Sequence, residues 1–98
     1  MSRFEEEVKE EIELQKPKMY RVLLLNDDFT SMEFVVSVLK NIFHKNEEEA
    51  HAIMLKIHNS GSGVCGVYTY DIAETKVAQV LSYAKQNKFP LRATMEED

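Results

Sequence analysis

The sequence predicts an α+β fold. A small open three-stranded sheet packs against three helices in the order β-α-α-β-α-β, behind a mobile N-terminal arm. Three observations predict it. The chain has 98 residues, room for one core and no more. Three short apolar runs bounded by polar or glycine-rich turns read as strands. Three apolar stripes at helical spacing, each opened by a short polar side chain with Glu three residues on, read as helices. Three strands cannot close a barrel, so the helices cover one face of an open sheet.

Residues 1–18 form the arm. Positions 2–18 hold six Glu and four basic residues. Phe4, Val8 and Ile12 are spaced by four, which allows a helix, but so short a stretch is marginal alone in water. Pro17 ends it. The folded domain spans 19–98.

The first strand, residues 19–25, runs into Asn26-Asp27-Asp28. Leu23, Leu24 and Leu25 occupy both pleat faces, which predicts cover on both. Thr30 through Glu33 opens the first helix, whose stripe is Phe34, Val35, Val38, Leu39 and Ile42. Asn46 through Glu49 opens the second, carrying Ala50, Ile53, Met54 and Ile57. Gly61 is placed to end it in a left-handed conformation. Residues 64–70 form the second strand. Asp71 through Glu74 opens the third helix, with Ala73, Val77, Val80, Leu81 and Ala84 inward, and Pro90 bars its continuation. Residues 91–95 are the last strand.

Net charge is −5, from 17 acidic and 12 basic residues. No stripe of Lys or Arg could track phosphates, which argues against nucleic acid and anionic membrane surfaces as partners. No apolar run approaches the roughly 20 residues of a membrane span. The first residues lack a signal peptide's apolar stretch. Cys65, the single cysteine, supports neither an internal disulfide nor a cysteine zinc site, so a cytoplasmic location is expected. No nucleophile motif or phosphate-binding glycine loop occurs.

Chemistry concentrates at Asn26-Asp27-Asp28. Three acceptor side chains, two of them anions, suit a cation, either a metal or an ammonium. The same residues also suit a plain Asx-type turn leading to a helix cap. His58 lies in the last turn of its helix, where the dipole favours it with or without a ligand. His44, His51 and His58 are seven apart; at ~1.5 Å per residue that separates helical Cα atoms by roughly 10 Å, too far to share one ion. Met32, Met54 and Ile57 read as core, or as the adaptable lining of an apolar pocket.

Residues 24–35, LLNDDFTSMEFV, resemble the signature of the ClpS family, adaptors of the bacterial N-degron pathway. Residues 52–58 (AIMLKIH), 63–69 (GVCGVYT), 73–77 (AETKV) and 87–91 (NKFPL) agree in order and spacing. The resemblance covers residues 19–95. It implies a monomeric binding module with no cofactor and no metal, and not an enzyme. Such proteins take chains beginning with Leu, Phe, Tyr or Trp and deliver them to a Clp AAA+ unfoldase, ClpA or a relative, for degradation. By position, Asn26, Asp27, Asp28 and His58 would hold the free α-amino group. Leu25, Thr30, Met32, Val35, Met54, Ile57 and Leu91 would line the pocket for the first side chain. Asp71, Glu74, Thr75 and Lys76 would face the unfoldase's N-terminal domain, and the arm would engage the unfoldase during delivery. Phe29 and Ser31 stand where many relatives have Tyr and Pro. The alternative readings are a small metal-dependent hydrolase using Asp27, Asp28 and His58, and a general interaction scaffold.

Overall fold

Alternation along the first strand sets the layers. In β1 (Met19–Leu25), Val22 and Leu24 are fully buried, while Leu23 and Leu25, on the opposite pleat face, are half-buried. The computed structural model describes residues 3–98, apart from the side chains of residues 10–15. β1 lies at the centre of an antiparallel sheet of order β2-β1-β3, between β2 (Ser62–Thr69) and β3 (Arg92–Glu97). The helices α2 (Met32–Asn41), α3 (Glu47–Ser60) and α4 (Tyr70–Gln86) close the core over the inner face. That core joins Val22, Leu24 and Ala93 to Phe34, Val38, Leu39, Ala50, Ile57 and Val80. Phe34 stacks at 5.0 Å on Tyr83 and 4.6 Å on Phe89, tying α2 to the end of α4. On the other sheet face Val64 and Val67 are exposed. Cover on both faces, expected from the leucine run, is therefore complete on one only, with Leu23 and Leu25 half-buried on the other.

The helix starts follow local chemistry, with two shifts from expectation. Asn46 makes the full capping box: its Oδ1 accepts from Glu49 N at 2.8 Å, and Glu49 Oε1 accepts from Asn46 N at 3.1 Å. The first core helix is capped one residue later than expected. Ser31, not Thr30, accepts from Phe34 N, at 3.1 Å, because the Thr30 hydroxyl is taken by Asp27. α4 begins at Tyr70, with Thr69 as cap residue and no side-chain cap bond, so Asp71 lies inside the first turn and helps only through the helix dipole. The expected helix end at Gly61 is found, with φ 93°. At the end of α4, Lys88 is itself left-handed (φ 64°), which returns Phe89 N to the Ala84 carbonyl at 2.9 Å.

Three further boundaries differ. β2 starts two residues earlier than expected and stops at Thr69, because Tyr70 already belongs to α4. β3 continues through Glu97, since Tyr20 pairs with Glu97 and Asp98 N donates to Met19 O at 2.8 Å. Residues Arg3–Gln15 form a helix, α1, whose side chains from Arg3 to Lys9 are exposed. Acidic residues in its first turn and the Arg3–Glu7 pair at 3.3 Å favour that helix. No helix among the described residues is long and apolar enough to cross a membrane.

The β1–β2 register slips between Val22 and Leu23, leaving Cys65 as the extra residue of a bulge. Cys65 is 1% exposed, and burial pushes its thiol up to about 12, so it is a packed hydrophobe rather than a reactive thiolate.

The capping box generates one prediction. Asn46→Ala should lower stability by about 1 kcal/mol, which for a domain this size lowers Tm by roughly 4–8 °C. Asn46→Asp, which keeps the acceptor, should melt within a degree or two of wild type. Thermal denaturation followed by circular dichroism measures both.

Candidate functional site

The loop between β1 and α2 is built by its own side chains. Asp27 Oδ1 accepts from Phe29 N at 2.8 Å and from Thr30 N at 2.7 Å, and its Oδ2 accepts the Thr30 hydroxyl at 2.6 Å. Partial burial pushes the Asp27 carboxyl up, but these three bonds outweigh it and hold the group below its ordinary value of 3.8. The backbone N–H of Asn26 donates to Gly61 O at 2.8 Å, which fastens the loop beside the end of α3. Ser31 then starts α2, so Met32 and Val35 turn toward Met54 and Ile57 of α3.

Between these elements lies a cavity of about 340 Å³, lined by Asn26, Asp27, Asp28, Thr30, Ser31, Met32, Val35, Met54, Ile57 and His58. Its floor is apolar: Val35, Met54 and Ile57 are buried. Its rim is polar. The side chains of Asn26, Asp28 and His58 have no protein partner among the described residues, so their acceptors are free for a ligand. Met32, half exposed, stands between floor and rim. The cavity thus offers an apolar hole beside two carboxylates, an amide oxygen and an imidazole. That combination suits a cationic group attached directly to an apolar side chain.

Of the residues expected at this place, nine line the cavity: Asn26, Asp27, Asp28, His58, Thr30, Met32, Val35, Met54 and Ile57. Leu25 and Leu91 are not among its lining residues; Leu91 is buried in the core, and Leu25 pairs with Ser62 and Arg92 on the sheet. Ser31 lines the cavity but carried only a helix-start signal in the sequence. The exposed Phe29 ring stands on the loop next to Asp28. Among the described residues no three His, Cys, Asp or Glu are grouped to hold a metal ion. The histidines are dispersed: His44 faces α4, His51 pairs with Glu47 at 3.3 Å, and only His58 reaches the cavity.

A larger groove, about 740 Å³, runs between the end of α2 and α4, with Glu74, Thr75 and Lys76 on its wall. It is open, and it lies away from the acidic loop. Asp71, Glu74 and Thr75 are exposed on the first turns of α4, while Lys76 is half-buried. Lys76 Nζ donates to Ile42 O at 2.7 Å and lies 5.8 Å from the Tyr68 ring centroid. Its charge is thus spent partly on closing α2 against α4.

Residues 15–94 match the family model described as "ATP-dependent Clp protease adaptor protein ClpS". The chain belongs to the ClpS family. The ATP-dependent Clp protease adapter protein ClpS of Wolinella succinogenes is 57% identical over 96 residues, covering 98% of this chain and 94% of that protein. ClpS of Phenylobacterium zucineum is 63% identical over 84 residues, 86% of this chain and 77% of that one. Among solved structures, Agrobacterium tumefaciens ClpS2 bound to L-phenylalaninamide matches with a TM-score of 0.82 and 43% identity, over 85% of this chain and all (100%) of that one. The architecture is therefore the ClpS fold, and the protein is an adaptor of the Clp protease.

In this ClpS-family loop Asp27 acts through its oxygens before it acts through its charge. Asp27→Asn keeps an acceptor for Phe29 N and Thr30 N but loses the charge and the acceptor for the Thr30 hydroxyl, so at neutral pH it should fold with a lower Tm than wild type, whereas Asp27→Ala should loosen the loop. Because the folded carboxyl is held below its ordinary 3.8, its stabilisation is complete above that value and fades as pH falls through the folded pKa. Thermal melts from pH 6 down to about 3 should show a shallower acid-side loss for Asp27→Asn than for wild type.

Proposed function

We propose that the chain binds proteins whose first residue is Leu, Phe, Tyr or Trp and delivers them to a Clp AAA+ unfoldase. The observation that carries this is the set of unpaired acceptors at the rim of an apolar cavity. A free N-terminus is an ammonium one carbon away from a side chain, and the cavity presents both complements side by side. L-phenylalaninamide, bound by the A. tumefaciens protein, is that same unit: a free amine, an aromatic side chain and an amide.

In the bound state the ammonium donates to Asp28, Asn26 and His58, with Asp27 adding charge from the loop it folds. The side chain enters between Met32, Val35, Met54 and Ile57. Burying a Leu-sized side chain contributes ~1.5–3 kcal/mol. Each hydrogen bond to the charged amine adds ~1.5–3 kcal/mol. After ordering costs, a micromolar Kd, about 8 kcal/mol, is the expected scale. That is tight enough to hold cargo and loose enough to release it. The role is binding and hand-over without bond chemistry, in the cytoplasm.

Asp71, Glu74, Thr75 and Lys76 mark the face we assign to the unfoldase's N-terminal domain, ClpA or a relative. Their position on α4, beside a groove separate from the cargo cavity, supports one adaptor holding cargo and unfoldase at once. Residues 1–18 act as an arm that engages the unfoldase, and residues 19–98 bind. Tethering through both raises the degron's effective concentration at the unfoldase.

Two measurements test this reading. Fluorescence anisotropy with short peptides should give a micromolar Kd for a Leu-starting peptide and at least a roughly hundredfold loss on N-acetylation, since two or more charge-assisted bonds vanish. Equal affinity for the free and acetylated peptides would rule out amine recognition. Deleting residues 2–18 should leave that Kd within about twofold, while degradation of a Leu-starting reporter by unfoldase and protease slows. A truncated protein that no longer binds peptide would place the arm in the site.

A further inference from the structure

Gly63 stands directly behind the floor of the cavity. It is buried in β2, opposite Leu24. Its φ is outside the left-handed region, where Gly61 is the only glycine among the described residues, so its backbone does not call for glycine. Space does. A Cβ on Gly63 would meet Ile57 Cγ1 at 2.8 Å, with Ile57 Cδ1 and the Ile53 carbonyl oxygen each at 3.6 Å. Carbon atoms do not sit that close, so the Ile57 side chain would have to yield.

The direction in which it yields is set by what surrounds it. Ile57 is 2% exposed, against 7% for Val35 and Met54 and 44% for Met32, so it is the deepest apolar residue lining the cavity. Close-packed neighbours leave it no room elsewhere. The free volume beside it is the cavity of about 340 Å³. We infer that Gly63 is a positioning residue: by letting β2 lie against α3 without a side chain, it holds Ile57 back and so sets how large a first side chain the pocket admits. This inference rests on the cavity being the side-chain pocket proposed above.

A methyl added at Gly63 becomes volume lost from the floor. A long aromatic ring reaches that floor and a shorter aliphatic chain reaches it less. One methylene in an apolar pocket is worth roughly tenfold or more in discrimination. Gly63→Ala should therefore weaken binding of a Phe-starting peptide by roughly tenfold more than binding of a Leu-starting one. Ile57→Val in the same chain removes Cδ1, 3.6 Å from the added Cβ, and leaves Cγ1 on a shorter side chain able to turn away, so the two changes together conserve volume. The double variant should restore the wild-type Phe-to-Leu ratio.

The experiment measures Kd for both peptides by fluorescence anisotropy with wild type, Gly63→Ala and Gly63→Ala/Ile57→Val, with a melting curve for each. A merely structural role for Gly63 would weaken both peptides equally and leave their ratio unmoved, and that result overturns the inference. So does a shifted ratio that the double variant leaves uncorrected. If Gly63→Ala does not fold, the double variant still decides: a folded double variant with the wild-type ratio supports the coupling, and an unfolded one refutes it. Wild-type protein that binds neither peptide would overturn the proposed function itself, an outcome distinct from wild-type binding with an unmoved ratio in Gly63→Ala.

Discussion

The backbone N–H of Asn26 donates to the carbonyl of Gly61 at 2.8 Å, and the geometry of the site is organised around that bond. It carries the β1–β2 ladder one step beyond the Leu25–Ser62 pair. Gly61 can offer its carbonyl there because it is left-handed, a conformation that costs glycine little and also ends α3. The acidic loop and the last turn of α3 are thereby held side by side. Asp27 then folds the loop onto itself and Ser31 starts α2. Asp28 and His58 come from distant parts of the chain, and one backbone hydrogen bond registers the segments that carry them.

What the sequence made legible was mostly local. The Asn46–Glu49 box and the Gly61 stop are interactions within a few residues, and both are present as expected. The acidic loop and the two methionines were visible as residue types. What they become depends on contacts across the fold. Asp27 reads in the sequence either as an acceptor for a cation or as an Asx-type turn, and the contacts across the loop form the turn: both of its oxygens are engaged, by Phe29 and Thr30. Asp71 looks like a cap because Glu74 follows it, but β2 hands over to α4 at Tyr70, before Asp71 can serve. Leu25 sits beside the loop in sequence and leaves the cavity by strand alternation alone. The spatial order β2-β1-β3 and the close approach of Gly63 to Ile57 are long-range facts, and no spacing in the chain encodes them.

The site also shows how a binding module manages free acceptors. Asn26, Asp28 and His58 are exposed, so water satisfies them while the cavity is empty. The apolar lining is deep and rigid, held by the same core that stabilises the domain. In the proposed role, selectivity for shape would sit where packing is tight, and recognition of charge where solvent competes. A fully buried acceptor set would bind harder but would carry a standing desolvation cost in the empty protein.

The central position of β1 has a mechanical consequence. The arm joins the domain at Met19, and the acidic loop leaves from Leu25, at the other end of the same strand, about 20 Å away. A pull on the arm along the strand axis is carried by ladders to β2 and β3 on both edges, whose hydrogen bonds lie across that direction. They share the load in shear instead of opening one at a time. The last residues of the chain belong to this clamp, since Tyr20 pairs with Glu97 and Met19 O accepts from Asp98 N. The junction of arm and domain is thus reinforced on both sides, and the cavity proposed for cargo lies a strand's length from it.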